Sequence, residues 1–238
     1  MIEIPSKEEV LAAHQRIKSL VHHTPVLSSR LINDIVGAQV VFKCENFQKM
    51  GAFKMRGATN AILQLSSAQK DNGVVTHSSG NFAQALALAA YNLGVKSFIV
   101  MPTTAPQVKK DAVVGYGGEI IECQPTLKAR EHAAKIVGQR HQATFIHPSN
   151  DMNVILGQGT ACVELLAEHP DLEVIFTPVG GGGLIAGTAL SAHHLAPECR
   201  VFGGEPFAVD DAYRSLKSGV IESNTSTNTL ADGLKTEL

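Results

Sequence analysis

The sequence predicts an α/β protein built on parallel sheets, and three observations predict it. Short apolar and β-branched runs ("QVVFKC", "GVVTHSS", "SFIVMP", "EIIEC", "ATFIHP", "EVIFTPV", "RVFGGE") alternate with longer segments of helical spacing such as "NFAQALALAAYNLG" and "TACVELLAEH". That alternation argues for βαβ units and a sheet covered on both faces. Turn residues punctuate it at Asn72-Gly73, Gly94, Gly117-Gly118 and Gly219. The chain of 238 residues, 44% of them apolar, can also bury a sizeable core.

The elements follow in order. Ser6 with Glu9 three residues later is a capping-box pattern, and apolar residues at helical spacing carry a first helix to about Val21. The strand and helix runs quoted above succeed it. No internal repeat, low-complexity tract or composition shift marks a linker, so domain boundaries are weakly written in the sequence.

Charge and composition exclude several function classes. A net charge of −2, with no stretch gathering Lys and Arg on one face, argues against nucleic acid and anionic lipid as partners. The start, "MIEIPSKEEV", is acidic and has no apolar core. No apolar run approaches the roughly 20 residues that cross a bilayer, and the cytoplasm is the expected location. Cys44, Cys123, Cys162 and Cys199 lie far apart with no CxxC spacing, which suits reduced thiols in the core.

Four constellations carry chemistry. In "CENFQKMGAFKMRGA" (44–58), Met55, Ala58, Ile62 and Leu65 fall on one helical stripe and Lys54 sits at its edge. Lys54 is either a lysine reaching water past an apolar surface or a desolvated amine able to form a Schiff base. In "THSSGN" (76–81), Ser, Gly and Asn at a strand end before a helix suit an N-cap, and the same geometry makes a carboxylate or phosphate site. In "TPVGGGGLIAG" (177–187), four consecutive glycines are costly in chain entropy and point to close approach of the backbone to an anion. Gly181, Gly183 and Ala186, with Glu205 about 20 residues on, also satisfy a dinucleotide fingerprint, so a nicotinamide oxidoreductase competes. In "GEPFAVDDA" (204–212), Glu205 and Asp211 with a carbonyl between them either hold Mg²⁺ or Ca²⁺ through hard oxygens or are solvated acids at a helix start. The ten histidines form no HExxH.

Together and in this order, the four stretches resemble the serine racemase and serine/threonine dehydratase family, fold type II pyridoxal phosphate enzymes related to the tryptophan synthase β subunit, which include the threo-3-hydroxyaspartate dehydratases. The likeness extends to "HHTPVLSSRLIN", "ILGQGT" and "LADGLKTEL". It implies that Lys54 is the Schiff-base lysine and also the base at Cα. Phe53 would pack on the cofactor ring, Asn81 would bond its phenolic oxygen, and Gly180, Gly181, Gly182 and Gly183 would wrap its phosphate. Gly233 would lie near it. Ser78, Ser79 and Asn81 would hold the substrate carboxylate, with Ser79 serving the opposite face in racemisation, and His77, Lys109 and Arg130 would stand near the substrate's distal end. Glu205, the Val209 carbonyl and Asp211 would hold Mg²⁺, Ca²⁺ or Mn²⁺.

The resemblance further implies two parallel-sheet domains with the cofactor between them. Residues 1–73 and 149–238 form the large domain and 74–148 the small one. The implied function is dehydration of β-hydroxy amino acids such as serine, threonine or 3-hydroxyaspartate to a 2-oxo acid and ammonia, with serine racemisation from the same residues, in a homodimer. Phe82 stands where the family has histidine. The chain also stops at Leu238, where family members continue and supply a serine-type partner for the pyridine nitrogen, implying a C-terminally truncated member. A truncated fragment that binds cofactor without turnover is the third reading.

Overall fold

The computed structural model describes residues 4–235; Thr236, Glu237 and Leu238 of the "LADGLKTEL" stretch lie outside the described residues. Ten helices and eight strands are found among them: α1 (Lys7–Ile17), β1 (Val26–Ser28), α2 (Arg30–Val36), β2 (Val41–Lys43), α3 (Lys54–Leu63), α4 (Ser67–Asn72), β3 (Val74–His77), α5 (Asn81–Asn92), β4 (Ser97–Pro102), α6 (Gln107–Gly115), β5 (Glu119–Cys123), α7 (Leu127–His141), β6 (Thr144–Phe145), α8 (Met152–Glu168), β7 (Val174–Pro178), α9 (Gly183–Leu195), β8 (Arg200–Gly204) and α10 (Asp211–Ser218).

Every expected strand run forms a strand. Strands β5-β4-β3-β6 make one parallel sheet, and β7 pairs in parallel with β8. The four-stranded sheet is covered on both faces because its side chains alternate between them. Val74, Ile99 and Met101 join Phe82 and Leu86 of α5 in one core, while Val75, Phe98 and Val100 join Ala134 and Val137 of α7 in another. The expected turn glycines are left-handed: Gly73 (φ 88°), Gly94 (67°), Gly117 (80°) and Gly219 (78°).

Three details depart from expectation. Helix α1 begins with the Ser6–Glu9 capping box but ends at Ile17, and Leu20 and Val21 then donate to the Ile17 carbonyl in a tight turn. Val21 is nonetheless buried, so the apolar spacing to that point reports the core and not the helix. Helix α8 starts well before "TACVELLAEH", because the Asp151 carboxylate accepts the N–H groups of Asn153 and Val154 and opens the helix there. The unexpected strand β1 pairs antiparallel with β2.

Helix α8 is the spine, and glycines let its neighbours approach. A Cβ at Gly157 would lie 2.6 Å from the Gly57 Cα of α3. A Cβ at Gly159 would lie 2.6 Å from the Gly187 carbonyl oxygen of α9. The first close crossing positions the helix that Lys54 begins, and the second positions the helix that follows the glycine run. Behind α3, the fully buried Arg56 guanidinium makes bidentate pairs with Glu45 and Glu164 and also donates to Thr24 and Thr160. Lys43 supplies the second cation to Glu164 at 2.8 Å.

Candidate active site

Lys54 is the first residue of α3, reached through Met50 and Gly51, both left-handed (φ 56° and 78°). Its Nζ donates to the Pro148 carbonyl at 2.8 Å and sits 5.2 Å from the Phe53 ring centroid and 5.7 Å from that of Phe82. Burial pushes the amine down to about 8. Lys54 is half-buried, and its hydrogen bond to Pro148 turns the amine toward the protein. Met55, Ala58 and Ile62 of the expected stripe are buried on the core side.

The same segment that receives the lysine also touches the glycine run. A Cβ at Gly183 would meet the Ser149 carbonyl oxygen at 2.9 Å and the Ser149 Cα at 3.1 Å, so the start of α9 packs against Ser149 with no room for a side chain at Gly183. Gly182 is left-handed (φ 78°), and no side chain caps α9. Amine and helix N-terminus thus share one short stretch of backbone, and a helix start without a side-chain cap is a ready phosphate site.

The "THSSGN" loop supplies the N-cap of α5 through its glycine. Gly80 holds the cap position of α5 without a side-chain bond, while Ser78 Oγ accepts from the Gly80 N–H at 3.3 Å. Ser78 and Ser79 are partly exposed and Asn81 is exposed. Phe82, in place of the family's histidine, is 2% exposed and packs in the core beneath the lysine.

His77 closes β3 and stacks on Phe145, with 5.4 Å between centroids. Burial, then His147 and Arg130, hold its imidazole below the usual range. Arg130, on α7, therefore faces His77 electrostatically, and its buried Nε has no protein partner. Lys109 is engaged elsewhere: its Nζ pairs with Asp232 at 2.7 Å, tying α6 to a 3₁₀ turn (Asp232–Leu234) that contains exposed Gly233.

The acidic cluster is built into the chain's last helix. Glu205 accepts the N–H groups of Ala212 and Tyr213 at 3.1 and 2.8 Å, capping α10, and Asp211 is 1% exposed and accepts from the Asn224 amide at 2.6 Å. Val209 is buried beside them in sequence. Neither acid is simply solvated, and among the described residues no three His, Cys, Asp or Glu side chains gather as a metal set.

The sequence reading missed His147, Pro148 and Ser149. Val75 pairs with Phe145, so His77 and His147, two residues beyond each, emerge side by side at the carboxyl ends of adjacent parallel strands. Their rings meet edge-on at 5.9 Å. A signal existed in the parallel between "VTHSSGN" and "FIHPSND", each a strand ending in histidine and then small polar residues.

A lysine amine set against aromatic rings and an uncapped, glycine-rich helix start that meet at Pro148-Ser149 are what an anionic carbonyl cofactor would require. The chain belongs to the family described as pyridoxal-phosphate dependent enzyme, whose profile it matches over residues 17–237. It has the fold type II architecture. It is 50% identical over 231 residues to a beta-hydroxyaspartate dehydratase of Paracoccus denitrificans, covering 97% of this chain and 73% of the relative. A serine racemase of Dictyostelium discoideum is 48% identical over 231 residues, covering 96% and 71%. The crystal structure of serine racemase from Dictyostelium discoideum superposes with a TM-score of 0.94 at 47% identity, covering 99% of this chain and 76% of that one. This membership leaves the dinucleotide reading of the glycine run without support.

Proposed function

We propose that this chain converts β-hydroxy amino acids such as serine, threonine or 3-hydroxyaspartate into a 2-oxo acid and ammonia, with racemisation of serine as a second outcome at the same residues. The observation that carries the reading is the Lys54 amine, buried against Phe53 and Phe82 with its proton loosely held. The names of the relatives support the substrate class.

The residues present fit pyridoxal phosphate: an amine lowered to about 8 suits an aldehyde, and a glycine-rich helix start that no side chain caps suits a phosphate. When bound, the cofactor supplies an aldehyde that takes the substrate's amine and a conjugated ring that takes up the electron pair left at Cα. Lys54 would take the Cα proton on its amine. Gly180, Gly181, Gly182 and Gly183 would hold the phosphate through main-chain N–H groups, Phe53 would pack on the ring, and Asn81 would orient it. Ser78, Ser79 and the α5 amides take the substrate carboxylate. Loss of the β-hydroxyl leads to oxo acid and ammonia, whereas return of a proton from the Ser79 side inverts Cα. His77 and Arg130 face the substrate's distal end.

The reading extends to two domains, 1–73 with 149–238 and 74–148, that enclose the substrate. It also extends to a divalent cation held by the all-oxygen set of Glu205, the Val209 carbonyl and Asp211. The test is direct. Addition of pyridoxal phosphate should give a yellow protein in which borohydride fixes the cofactor on Lys54, seen as a mass increase on its peptide. Lys54→Ala should abolish both the fixation and the release of pyruvate from L-serine. Fixation on another lysine would refute the assignment.

A further inference from the structure

We infer that His147 is a substrate-binding residue whose Nε2–H donates a hydrogen bond to the β-oxygen of the substrate. The inference rests on the function proposed above and deepens it. The backbone N–H groups of Ser149 and Asn150 both donate to His147 Nδ1, at 3.2 and 2.8 Å. A ring nitrogen that accepts two hydrogen bonds carries no proton, so the neutral imidazole holds its proton on Nε2. Taking up a second proton would set Nδ1–H against two N–H groups. The ring is therefore a donor that cannot serve as a base.

Its surroundings reinforce that state. Burial comes first and the Lys54 ammonium second in holding the imidazole below its usual range, with Asp151 and Glu131 opposing them more weakly. His77 lies edge-on at 5.9 Å, itself facing Arg130. Lys54 donates to the carbonyl of Pro148, the very next residue, so the donor is tied to the amine that works on Cα. The β-carbon is one bond from Cα, and its hydroxyl must be hydrogen-bonded as the carbon–oxygen bond lengthens. A neutral donor held by backbone amides offers that bond without removing a proton from the substrate.

A purely structural role for His147, as acceptor for the Ser149 and Asn150 amides, is separable from this one. In His147→Asn the Asn carbonyl can accept the same amides, while the Nε2–H is gone. With cofactor fixation on Lys54 verified in both proteins, kcat/KM for L-serine should fall by about tenfold or more, the scale of one lost hydrogen bond to a reacting oxygen. Inhibition by L-alanine, which lacks the β-oxygen, should stay within about twofold. Equal losses for both ligands, or none for either, would overturn the inference. A second readout needs no turnover: ¹⁵N-histidine NMR of the unliganded chain should show the His147 signal, assigned by its absence in His147→Asn, as a neutral Nε2–H ring that takes up a proton only below the range of a free imidazole. A ring that protonates at or above the free-imidazole range, or an Nδ1–H form, would overturn it independently. Should borohydride fix nothing on Lys54 in the parent protein, the proposed function fails, and the NMR result still decides the state of His147.

Discussion

At Lys54 the useful quantity is how readily the amine sheds its proton. With its pKa near 8 instead of the usual 10.5, about a tenth of the amine is neutral at pH 7, against fewer than one in a thousand for an exposed lysine. The same shift is a stability term. Between about pH 8 and 10.5 the unfolded chain holds a proton that the folded chain has released, so stability rises with pH across that window and the penalty is fully present below it. Lys54→Met, neutral and similar in length, should therefore raise stability at pH 7 by about 1–3 kcal/mol and flatten the rise toward pH 10, as read by urea unfolding at both pH values. No gain at pH 7 would show the amine to be better solvated than its contacts imply. The lysine was legible in the sequence as a residue at the edge of an apolar stripe. Its desolvation was not, because Pro148 and Phe82 reach it from distant parts of the chain.

Among the elements, α8 has the widest consequences. Its "ILGQGT" stretch places Gly157 against Gly57 of α3 and Gly159 against Gly187 of α9. An alanine at Gly187 would drive its Cβ onto the Ile155 carbonyl oxygen and, at 2.6 Å, onto the Gly159 amide nitrogen, both backbone atoms that cannot swing aside. Gly187→Ala should cost about 1–3 kcal/mol in denaturant unfolding, while Gly204→Ala, where nothing lies within 4 Å of the added carbon, should cost much less. Charge also holds α3 to α8. Removing Arg56 leaves Glu45 with the Thr24 hydroxyl but no cation and Glu164 with Lys43 as its cation, and the loss of one partner from a buried ion network costs about 3–5 kcal/mol. Arg56→Met should show that loss. The arginine two residues after Lys54 is thus a pin behind the helix, a role its apolar neighbours in sequence did not disclose.

Across the whole molecule, four sheet strands covered on both faces contrast with two short sheets packed on α8. Among the described residues β2 pairs with β1 and β7 with β8, and both β2 and β7 line one cavity of about 1270 Å³ with Phe42, Phe53, Phe176 and Phe202 on its walls. Phe53 stands between this cavity and the Lys54 amine. The chain spans about 73% of the length of the Paracoccus relative. The loop from Glu205 to Asp211 joins β8 to the chain's last stretch through Asn224, so a cation there would act on global stability. Magnesium should raise the melting temperature of the parent chain, and Asp211→Asn should remove that response. An unchanged melting temperature would leave Glu205 and Asp211 as a helix cap and a buried hydrogen-bond acceptor.

The sequence by itself determined seven of the eight strands, the start of α1 and the turn glycines, because periodicity, capping side chains and glycine runs act over a few neighbouring residues. It also carried the family resemblance through the lysine, serine and glycine motifs. Only the tertiary structure decided that Lys54 meets the Pro148 carbonyl, that His77 and His147 stand in register, and that Arg56 braces α3 from behind. Those meetings join residues some 70 to 110 positions apart, and they are set by strand register and helix crossing, which no local pattern encodes.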